Sequence, residues 1–349
     1  MSSIETAVVR LSDLIDGQEA DCFGALVRKV RGTTYKNEAF MRCYFRDKQV
    51  TLEAPLWADS RFLKLAEGWA EGSAYRLHVR AAVKPKYGLQ LELQDIRPVN
   101  DADLADGYNF FDLVESSHLN PDERFARIHE LIEKGIDEPP LKQLVLNVLH
   151  ENADLFKKLQ AATNFHHAYS GGLIEHVWSV TRIASWLADH YARYYKDLNP
   201  PLNKGVIIAA AVLHDIGKLR ELEYHPVEAK YTKEGSLIGH VLMGRDMARE
   251  AALKIADFPV ETLLLLEHAI LSHHGRRDYG APIPPQTLEA LLVSFVDDLD
   301  AKMNIAARHR LQCTTDGEFT DKVYALDNRR FYKGVPAETP AADPAPDLA

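Results

Sequence analysis

The chain of 349 residues has only three cysteines, Cys22, Cys43 and Cys313, and they are scattered along its length. They form no Cys-x-x-Cys pair, so the sequence excludes a disulfide scaffold and favours a reducing compartment. No run of about 18 apolar residues occurs, and the first residues do not place a basic segment before an apolar one. We therefore expect a cytoplasmic protein without membrane spans.

Positive charge is also in short supply, since the formal net charge is −10 at pH 7. The deficit argues against non-specific coating of DNA, because phosphate binding needs clustered cations. The charge is uneven, however: residues 19–100 hold 14 Lys and Arg against 10 Asp and Glu, which leaves 27 against 41 elsewhere. A basic N-terminal module on an acidic body is compatible with a polyanionic substrate.

Side chains that can bind metal ions are plentiful in the second half of the chain. They are His176, His214, Asp215, His240, His273, His274 and Asp297. Imidazole suits Zn, Fe, Ni and Cu, and carboxylate suits Mg, Ca and Mn, so the mixed set indicates a first-row divalent metal. Seven ligands are too many for one ion. Two ions bridged by one carboxylate would use them well and would clamp both oxygens of a displacement at phosphorus.

Apolar runs precede several of these residues. The run 205–213 predicts a buried helix that delivers His214 and Asp215 at its end, with Gly217 as a helix stop. A similar run precedes His273, and another carries Asp297 into an apolar interior, where a carboxylate needs a partner such as a metal ion. For any one histidine, a hydrogen-bonded core position is the ordinary alternative.

The first hundred residues read as short, partly alternating strands. These are 23–30, 39–46, 49–54, 74–80 and 89–93, with a helical patch at 59–67. Five such strands predict an OB barrel, a fold that binds single strands by aromatic stacking beside a basic groove. A solvated face is the alternative reading of the basic residues, and we expect Trp57 in the core. The candidate substrate-binding residues in the barrel are Arg28, Lys29, Arg42 and Arg76.

Five stretches carry a resemblance to a known superfamily. They are 166–176 (HHAYSGGLIEH), 213–218 (LHDIGK), 239–240 (GH), 270–275 (ILSHHG) and 297–303 (DDLDAKM). Together they resemble the HD superfamily of metal-dependent phosphohydrolases in the residues of each motif and in the order of the motifs. An OB barrel followed by an HD domain resembles the YhaM-type 3′→5′ exoribonucleases, although the barrel half matches more loosely, chiefly in strand layout.

The resemblance implies manganese-dependent release of nucleotides from a 3′ end, with RNA as substrate and single-stranded DNA left open. It implies that His176, His214, Asp215 and Asp297 hold one ion, and that Asp215 bridges to a second ion held by His240, His273 and His274. Lys218 would contact a substrate phosphate, so the catalytic group is His214, Asp215 and Lys218. The related HD-GYP phosphodiesterases include enzymes with a glutamate for a third metal at the place of Gly172, so we expect two ions. Iron or another first-row metal is left open.

Other residues flank the predicted site. His166, His167, Arg276 and Arg277 are candidates for positioning a phosphate or a base, and an exposed turn is the alternative for the two arginines. The expected division of the chain is an N-terminal segment 1–18, an OB domain 19–100, a helical connector 101–165 packing on the catalytic domain, an HD catalytic domain 166–334 and a disordered tail 335–349.

Three functions compete at this point. The first is the exonuclease. The second is a phosphohydrolase acting on nucleotides or cyclic dinucleotides, in which the OB module serves regulation or the association of identical chains. The third is a non-catalytic nucleic-acid-binding protein with a structural metal site, and it is disfavoured because no ligand position is lost and a closed structural site has no need of Lys218. The sequence leaves open whether the chain forms a homo-oligomer.

Overall fold

The computed structural model describes residues 8–34, 37–85, 87–163, 166–225, 229–313 and 317–335. Of the tail 335–349, which the sequence predicts to be disordered, all but the first residue lies outside these ranges. None of the helices in the described ranges combines the length and the hydropathy that a membrane crossing requires.

Residues 8–98 form a closed barrel of five strands with a sixth, very short strand at its edge. The strands are β1 (Val8–Val9), β2 (Glu19–Thr33), β3 (Ala39–Arg46), β4 (Thr51–Leu56), β5 (Ala74–Lys84) and β6 (Gly88–Pro98). Their order is β1-β2-β3-β4-β6-β5, and pairing of β2 with β5 closes the barrel. β1 pairs with β2 in parallel, as β4 does with β6, while the remaining pairs are antiparallel. The expected OB barrel is confirmed.

Strand β3 shows how the period of two builds the barrel. Met41, Cys43 and Phe45 are buried in the barrel core, while Arg42 and the other even-numbered residues from 40 to 46 lie on the outer face. Because the core is apolar, burial raises the pKa of the Cys43 thiol to about 12, and the pKa of Cys22 rises to about 12 for the same reason. These two thiols are therefore packing groups rather than reactive ones.

Two details of the barrel differ from the expectation. The described part of the segment 1–18 belongs to the barrel, since Leu11 and Leu14 are buried in its core and β1 pairs with β2. The patch 59–67 forms turns and a short 3₁₀ helix, Leu65–Gly68, rather than an α-helix. A segment of this length cannot sustain a helix on its own, and burying Phe62 and Ala66 needs only a turn.

The rest of the described chain is helical apart from a small hairpin, β7 (Leu222–Glu223) with β8 (Lys230–Tyr231). The helices are α1 (Pro121–Gly135), α2 (Pro139–Glu151), α3 (Ala153–Lys158), α4 (Gly172–Tyr194), α5 (Lys204–Leu213), α6 (Lys218–Glu221), α7 (Lys233–Ile238), α8 (His240–Ala252), α9 (Val260–Ser272) and α10 (Leu288–Gln312). One apolar core joins them, and α1 and α2 contribute Ile128, Ile132, Leu141 and Leu144 to it.

Helix α5 lies at the centre of this core, and every residue from Val206 to Leu213 is fully buried. The helix ends where predicted, but Gly217 has a right-handed backbone with φ −62°. The sequence predicts Gly217 as a helix stop; α5 ends before it, and Gly217 leads directly into α6. Glycine is needed there because a Cβ atom would lie 2.0 Å from the carbonyl oxygen of His240. That close approach brings the start of α8 against the turn after α5.

Candidate metal centre

The seven predicted ligands come from five places in the helical domain and meet at one site. His176 is in the second turn of α4, His240 starts α8, and Asp297 lies within α10. The remaining four follow the buried ends of α5 and α9. They are His214 and Asp215, and His273 and His274. The structure thus brings together all seven residues that the sequence selected.

The two helix ends use the same device to orient an imidazole. His214 Nδ1 lies 2.8 Å from the carbonyl oxygen of Ala211, and His273 Nδ1 lies 2.6 Å from that of Ile270. Because a carbonyl can only accept, Nδ1 carries the proton in both rings. When such a ring is neutral, its unprotonated Nε2 faces the site, and that is the form that binds a metal ion.

The two carboxylate oxygens of Asp215 face different groups of ligands. Oδ2 lies 3.7 Å from His176 Nε2 and 3.5 Å from His214 Nε2. Asp297 Oδ1 completes this group at 3.1 Å from His176 Nε2. Oδ1 of Asp215 instead lies 3.5 Å from His240 Nε2 and 3.7 Å from His273 Nε2.

His274 belongs to the second group, since its Nε2 lies 3.3 Å from His240 Nε2. The ligand atoms of His240, His273 and His274 lie within 4.8 Å of one another, as do those of His176, His214 and Asp215. Either group could hold a metal ion, and Asp215 is the residue placed between them.

Unpartnered polar atoms support a cation at this site. Asp215 Oδ1, His273 Nε2 and His274 Nδ1 are buried, and none has a hydrogen-bond partner among the described residues. Such atoms are rare in folded proteins because an unsatisfied buried acceptor is costly. A divalent cation would satisfy the first two atoms together, so the residues present fit the metal that the sequence implies.

The electrostatics of the site keep its acids ionised and two of its histidines neutral. Burial raises the pKa of Asp215, but the charges of Lys218 and His214 outweigh it and hold the pKa well below its ordinary value. Burial lowers the pKa of both His273 and His274. Ionised carboxylates and neutral imidazoles are the ligand forms that a divalent metal requires.

Carboxylates behind the ligands fix the orientation of two of them. Asp300 Oδ2 lies 2.7 Å from His176 Nδ1, and Glu221 Oε1 lies 2.9 Å from His240 Nδ1. Ser179 hydrogen-bonds the other oxygen of Asp300. Burial lowers the pKa of His176, but hydrogen bonds to Asp297 and Asp300 raise it to about 10. Outer carboxylates of this kind orient metal-bound histidines and raise their basicity.

Asp300 and Glu221 were not selected from the sequence. A signal was present for each, because Asp300 follows Asp297 by three residues on one helix and Glu221 follows Lys218 by three. Residues three apart share a helix face, so a ligand on α10 predicts that a nearby acid lies close to the same site.

His166 and His167 occupy different positions. His166 lines the cavity at the centre, and its ring centroid is 5.3 Å from that of His176. Burial and the charge of Lys218 lower the pKa of His166 to about 3, so it is neutral. His167 faces away from this cavity, with Nε2 3.0 Å from Asp300 Oδ2 and its backbone N–H bonded to Asn304. It therefore supports the ligands rather than lining the space before them.

A cavity of about 140 Å³ opens at the metal centre. Lys218 lines it, only 6% exposed, with Nζ 2.6 Å from Asp215 Oδ2. Tyr279 stands at its edge and is 55% exposed. Arg276 and Arg277 are exposed and do not line this cavity, but the Arg276 guanidinium lies 6.0 Å from the centre of the Tyr279 ring.

Two of the four barrel candidates make internal bonds. Lys29 Nζ donates to three backbone carbonyls, those of residues 66, 67 and 69. Arg76 bonds Asp21, Asp103 and Asp106. Both cations are therefore committed to holding the barrel together, and we drop them as substrate contacts.

The other two candidates lie on the outer face. The Arg28 guanidinium lies 4.4 Å from the centre of the Tyr44 ring, and that of Arg42 lies 5.7 Å from the centre of the Phe40 ring. The expectation that Trp57 is a core residue is wrong, because its side chain is 52% exposed. Its ring packs against Phe40, with centroids 5.5 Å apart, at the end of β4.

Two family models match parts of the helical region. A family model described as "HD domain" matches residues 173–302. A second, described as "Putative helicase", matches residues 116–220. The fold class expected from the sequence, an OB barrel followed by a helical HD domain, is therefore confirmed. The HD domain indicates a metal-dependent phosphohydrolase, whose divalent ions the two ligand groups could hold.

Solved structures match about a quarter of the chain at low identity. A domain of replication protein A from Methanococcus maripaludis is 15% identical, and the match covers 27% of this chain and 96% of that chain at a TM-score of 0.22. The structure of fission yeast Pot1 and ssDNA is 13% identical, and the match covers 28% of this chain and 41% of that chain at a TM-score of 0.23.

Proposed function

We propose that the protein is a divalent-metal-dependent exonuclease that hydrolyses phosphodiester bonds at the 3′ end of single-stranded RNA, with single-stranded DNA as a second substrate to be tested. The division of the two Asp215 oxygens between two ligand groups carries this proposal. Two cations held on one carboxylate suit a displacement at phosphorus, where both the attacking and the leaving oxygen need stabilisation. The 3′→5′ direction rests on the resemblance to the YhaM-type exoribonucleases.

The ligands would be divided as the geometry divides them. His176, His214 and Asp297 would hold one ion, the three histidines around Asp215 Oδ1 would hold the other, and Asp215 would bridge. Bound ions of this kind polarise a phosphoryl oxygen and lower the pKa of coordinated water. We propose manganese as the metal, in keeping with the mixed nitrogen and oxygen donors and with the family that the chain resembles.

Lys218 is the residue that we assign to the substrate phosphate. Its ammonium lines the cavity and is nearly excluded from solvent, so its charge is weakly screened. A cation fixed there can neutralise charge that develops on the phosphoryl oxygens in the transition state. His214 and Asp215 act through the ions that they hold.

The barrel would hold the rest of the strand. Trp57 and Tyr87 line a cleft of about 620 Å³ between the end of β4 and the turn from β5 to β6, beside Lys84. The Tyr87 side chain is 66% exposed. Exposed rings next to a cation suit base stacking, which contributes about 1–3 kcal/mol per base. Trp57 and Tyr87 thus join Arg28 and Arg42 as proposed strand contacts.

A labelled oligonucleotide tests the proposal. Manganese-loaded protein should shorten a 5′-labelled single strand one nucleotide at a time from its 3′ end and should leave a duplex with a blocked 3′ end intact. Trp57→Ala should weaken binding of a long strand by about tenfold, as loss of one stacking contact predicts. Trp186→Ala is the matched control, since that tryptophan is exposed on α4, outside the barrel. Internal cleavage, or no cleavage of any strand, would contradict the exonuclease.

A phosphohydrolase for nucleotides or cyclic dinucleotides is the second candidate. The small size of the metal-site cavity favours it, because about 140 Å³ admits little more than one phosphate with part of a sugar. The same cavity admits the end of a strand, so substrate length distinguishes the two. An enzyme that hydrolyses mononucleotides or cyclic dinucleotides but no oligomer, with the same rate after Trp57→Ala, would establish the second function.

A further inference from the structure

A second polar cavity lies between the barrel and the HD domain, separate from the metal-site cavity. It has a volume of about 460 Å³. Three charged residues line it: Arg46 at the end of β3, Arg308 on α10, and Glu115 in the segment between the barrel and α1. Two cations therefore face one anion in a protein whose net charge is −10.

The two arginines share the one carboxylate unequally. Arg308 Nη2 lies 2.6 Å from each oxygen of Glu115, while Arg46 Nη2 reaches only Oε2, at 3.3 Å. The Nε of Arg46 is buried without a hydrogen-bond partner in the described residues. A guanidinium carries five donors in a planar fork, so within the described residues Arg46 has donor capacity left, at Nε, for another anion.

An acceptor in the same cavity is also unused. Gln160 is 2% exposed and donates through Nε2 to the carbonyl oxygen of His225 at 2.8 Å, while its Oε1 has no partner within the described chain. The cavity therefore offers a spare donor and a spare acceptor. Phosphate oxygens match the donor, and a ribose hydroxyl or an exocyclic amine matches the acceptor.

The outer face of β3 leads to this cavity. Positions 40, 42, 44 and 46 share that face, and they read Phe, Arg, Tyr and Arg. We call these four residues the outer track. At one end Phe40 packs on Trp57, and at the other Arg46 enters the cavity. Aromatic and cationic side chains alternate along it, as a single strand requires.

The far wall of the cavity leads to the metal centre. Thr163 and Ala168 line the inter-domain cavity, while His166, between them in the chain, lines the metal-site cavity. Arg308 adds a second link, because its guanidinium lies 5.0 Å from the centre of the Tyr169 ring. Tyr169 Oη lies 2.9 Å from His167 Nδ1, and His167 shares Asp300 with the ligand His176.

We propose that the inter-domain cavity binds a backbone phosphate of a single strand passing from the outer track to the metal centre, and that Arg46 and Arg308 are its donors. Glu115 is then the anion with which the strand competes. This inference rests on the proposed exonuclease function and names a part of its substrate path. A purely structural role, in which the trio clamps the domains together, is the opposing account.

Removing the carboxylate separates the two accounts. If the arginines bind phosphate, Glu115→Gln removes the carboxylate that competes with the strand and tightens binding of a long strand by several-fold, while Arg46→Gln weakens it by about tenfold and lowers the salt dependence by about one counterion. A clamp predicts that both substitutions weaken binding, because each breaks the same ionic contact. The two accounts therefore predict opposite changes in strand affinity for Glu115→Gln.

The test uses the full-length, metal-loaded protein and a labelled single strand long enough to span both domains, with KM and its salt dependence as readouts. Arg31→Gln is the matched control, since Arg31 pairs with Glu67 at 3.0 Å and is exposed. Hydrolysis of bis(p-nitrophenyl) phosphate by Arg31→Gln should equal that of the wild type. Should Arg46→Gln not fold, Arg46→Lys keeps the charge, loses the fork and should still weaken binding.

Each outcome decides the matter. Tighter binding by Glu115→Gln together with weaker binding by Arg46→Gln supports the phosphate site. Glu115→Gln binding that is unchanged or weaker overturns it, and so does Arg46→Gln binding that is unchanged or tighter. Failure of the proposed function looks different, since the wild-type protein would then hydrolyse the small ester without binding or shortening any strand.

Discussion

The metal centre and the barrel with its flanking segment contain the same kinds of buried polar side chains. They differ in how many hydrogen-bond partners those side chains have. Asp103, in the short 3₁₀ helix that follows β6, accepts hydrogen bonds from the barrel residues Arg97 and Arg76 and from the backbone of Asn100. In the HD domain, Asp215 is equally buried, yet its Oδ1 has no hydrogen-bond partner in the described residues. Saturated polar groups hold a fold together, whereas buried groups with spare capacity indicate a ligand.

The largest effect is expected from substitution of Asp215. Asp215→Ala should lower turnover more than about 100-fold, a larger loss than that of an outer carboxylate, because it removes a ligand and a negative charge from both ions. Circular dichroism should show that the helices remain. A folded variant with near-normal turnover would show that Asp215 is not shared between two ions.

Loss of Lys218 should have the next largest effect. Lys218→Gln should slow hydrolysis by about 100-fold, since a fixed donor at a developing charge contributes on that scale. Metal content should stay close to that of the wild type, because a protonated lysine cannot be a ligand. Lys204→Gln is the control, as Lys204 pairs with Asp189 at 2.7 Å on the same domain. Loss of metal in Lys218→Gln would indicate a structural role.

Asp300 lies next to the metal ligand His176, yet both of its carboxylate oxygens already have hydrogen-bond partners. Asp300→Asn should lower metal affinity by about 10- to 100-fold, as expected for the partner of a histidine ligand. Titration with manganese measures the change. Ser179→Ala, which removes only one hydrogen bond to Asp300, should have a smaller effect. Equal effects of the two variants would argue against orientation of His176 by Asp300.

The smallest expected effect is a change in stability on substitution of Asp103. Hydrogen bonds from Arg97, opposed by burial, hold the pKa of Asp103 well below its ordinary value of 3.8. A depressed pKa contributes stability above the unfolded value, and that contribution is lost as the pH falls below about 4. Asp103→Asn should lower the melting temperature at neutral pH by about 5 °C and flatten its decline in acid. Asp59→Asn, at an exposed position, should change neither.

The sequence predicts the parts of this protein that depend on local pattern. Alternation along β3 predicts which of its residues enter the barrel, and the apolar run of α5 predicts the buried end that presents His214. The partners of these residues are not local. Asp300 and His176 are 124 positions apart, and Arg76 and Asp21 are 55 apart. No spacing rule connects residues so distant, so the pairing of Asp300 with His176 and the internal bonds of the barrel cations emerge only from the fold.

Trp57 is a second case in which the local sequence does not predict the structure. Tryptophan is highly buried on average, but the Trp57 side chain stays 52% exposed although its ring packs on the Phe40 ring, which in turn covers Gly32. Exposure depends on how neighbouring strands cover the position, which the local sequence does not encode.

Metal stoichiometry tests the central claim, that Asp215 is shared by two ions. Elemental analysis of manganese-loaded protein should find two ions per chain in the wild type. His240→Ala should retain the ion held by His176, His214 and Asp297, and Asp215→Ala should retain neither at full occupancy. Two ions bound to folded Asp215→Ala, or a single ion in the fully active wild type, would contradict the account.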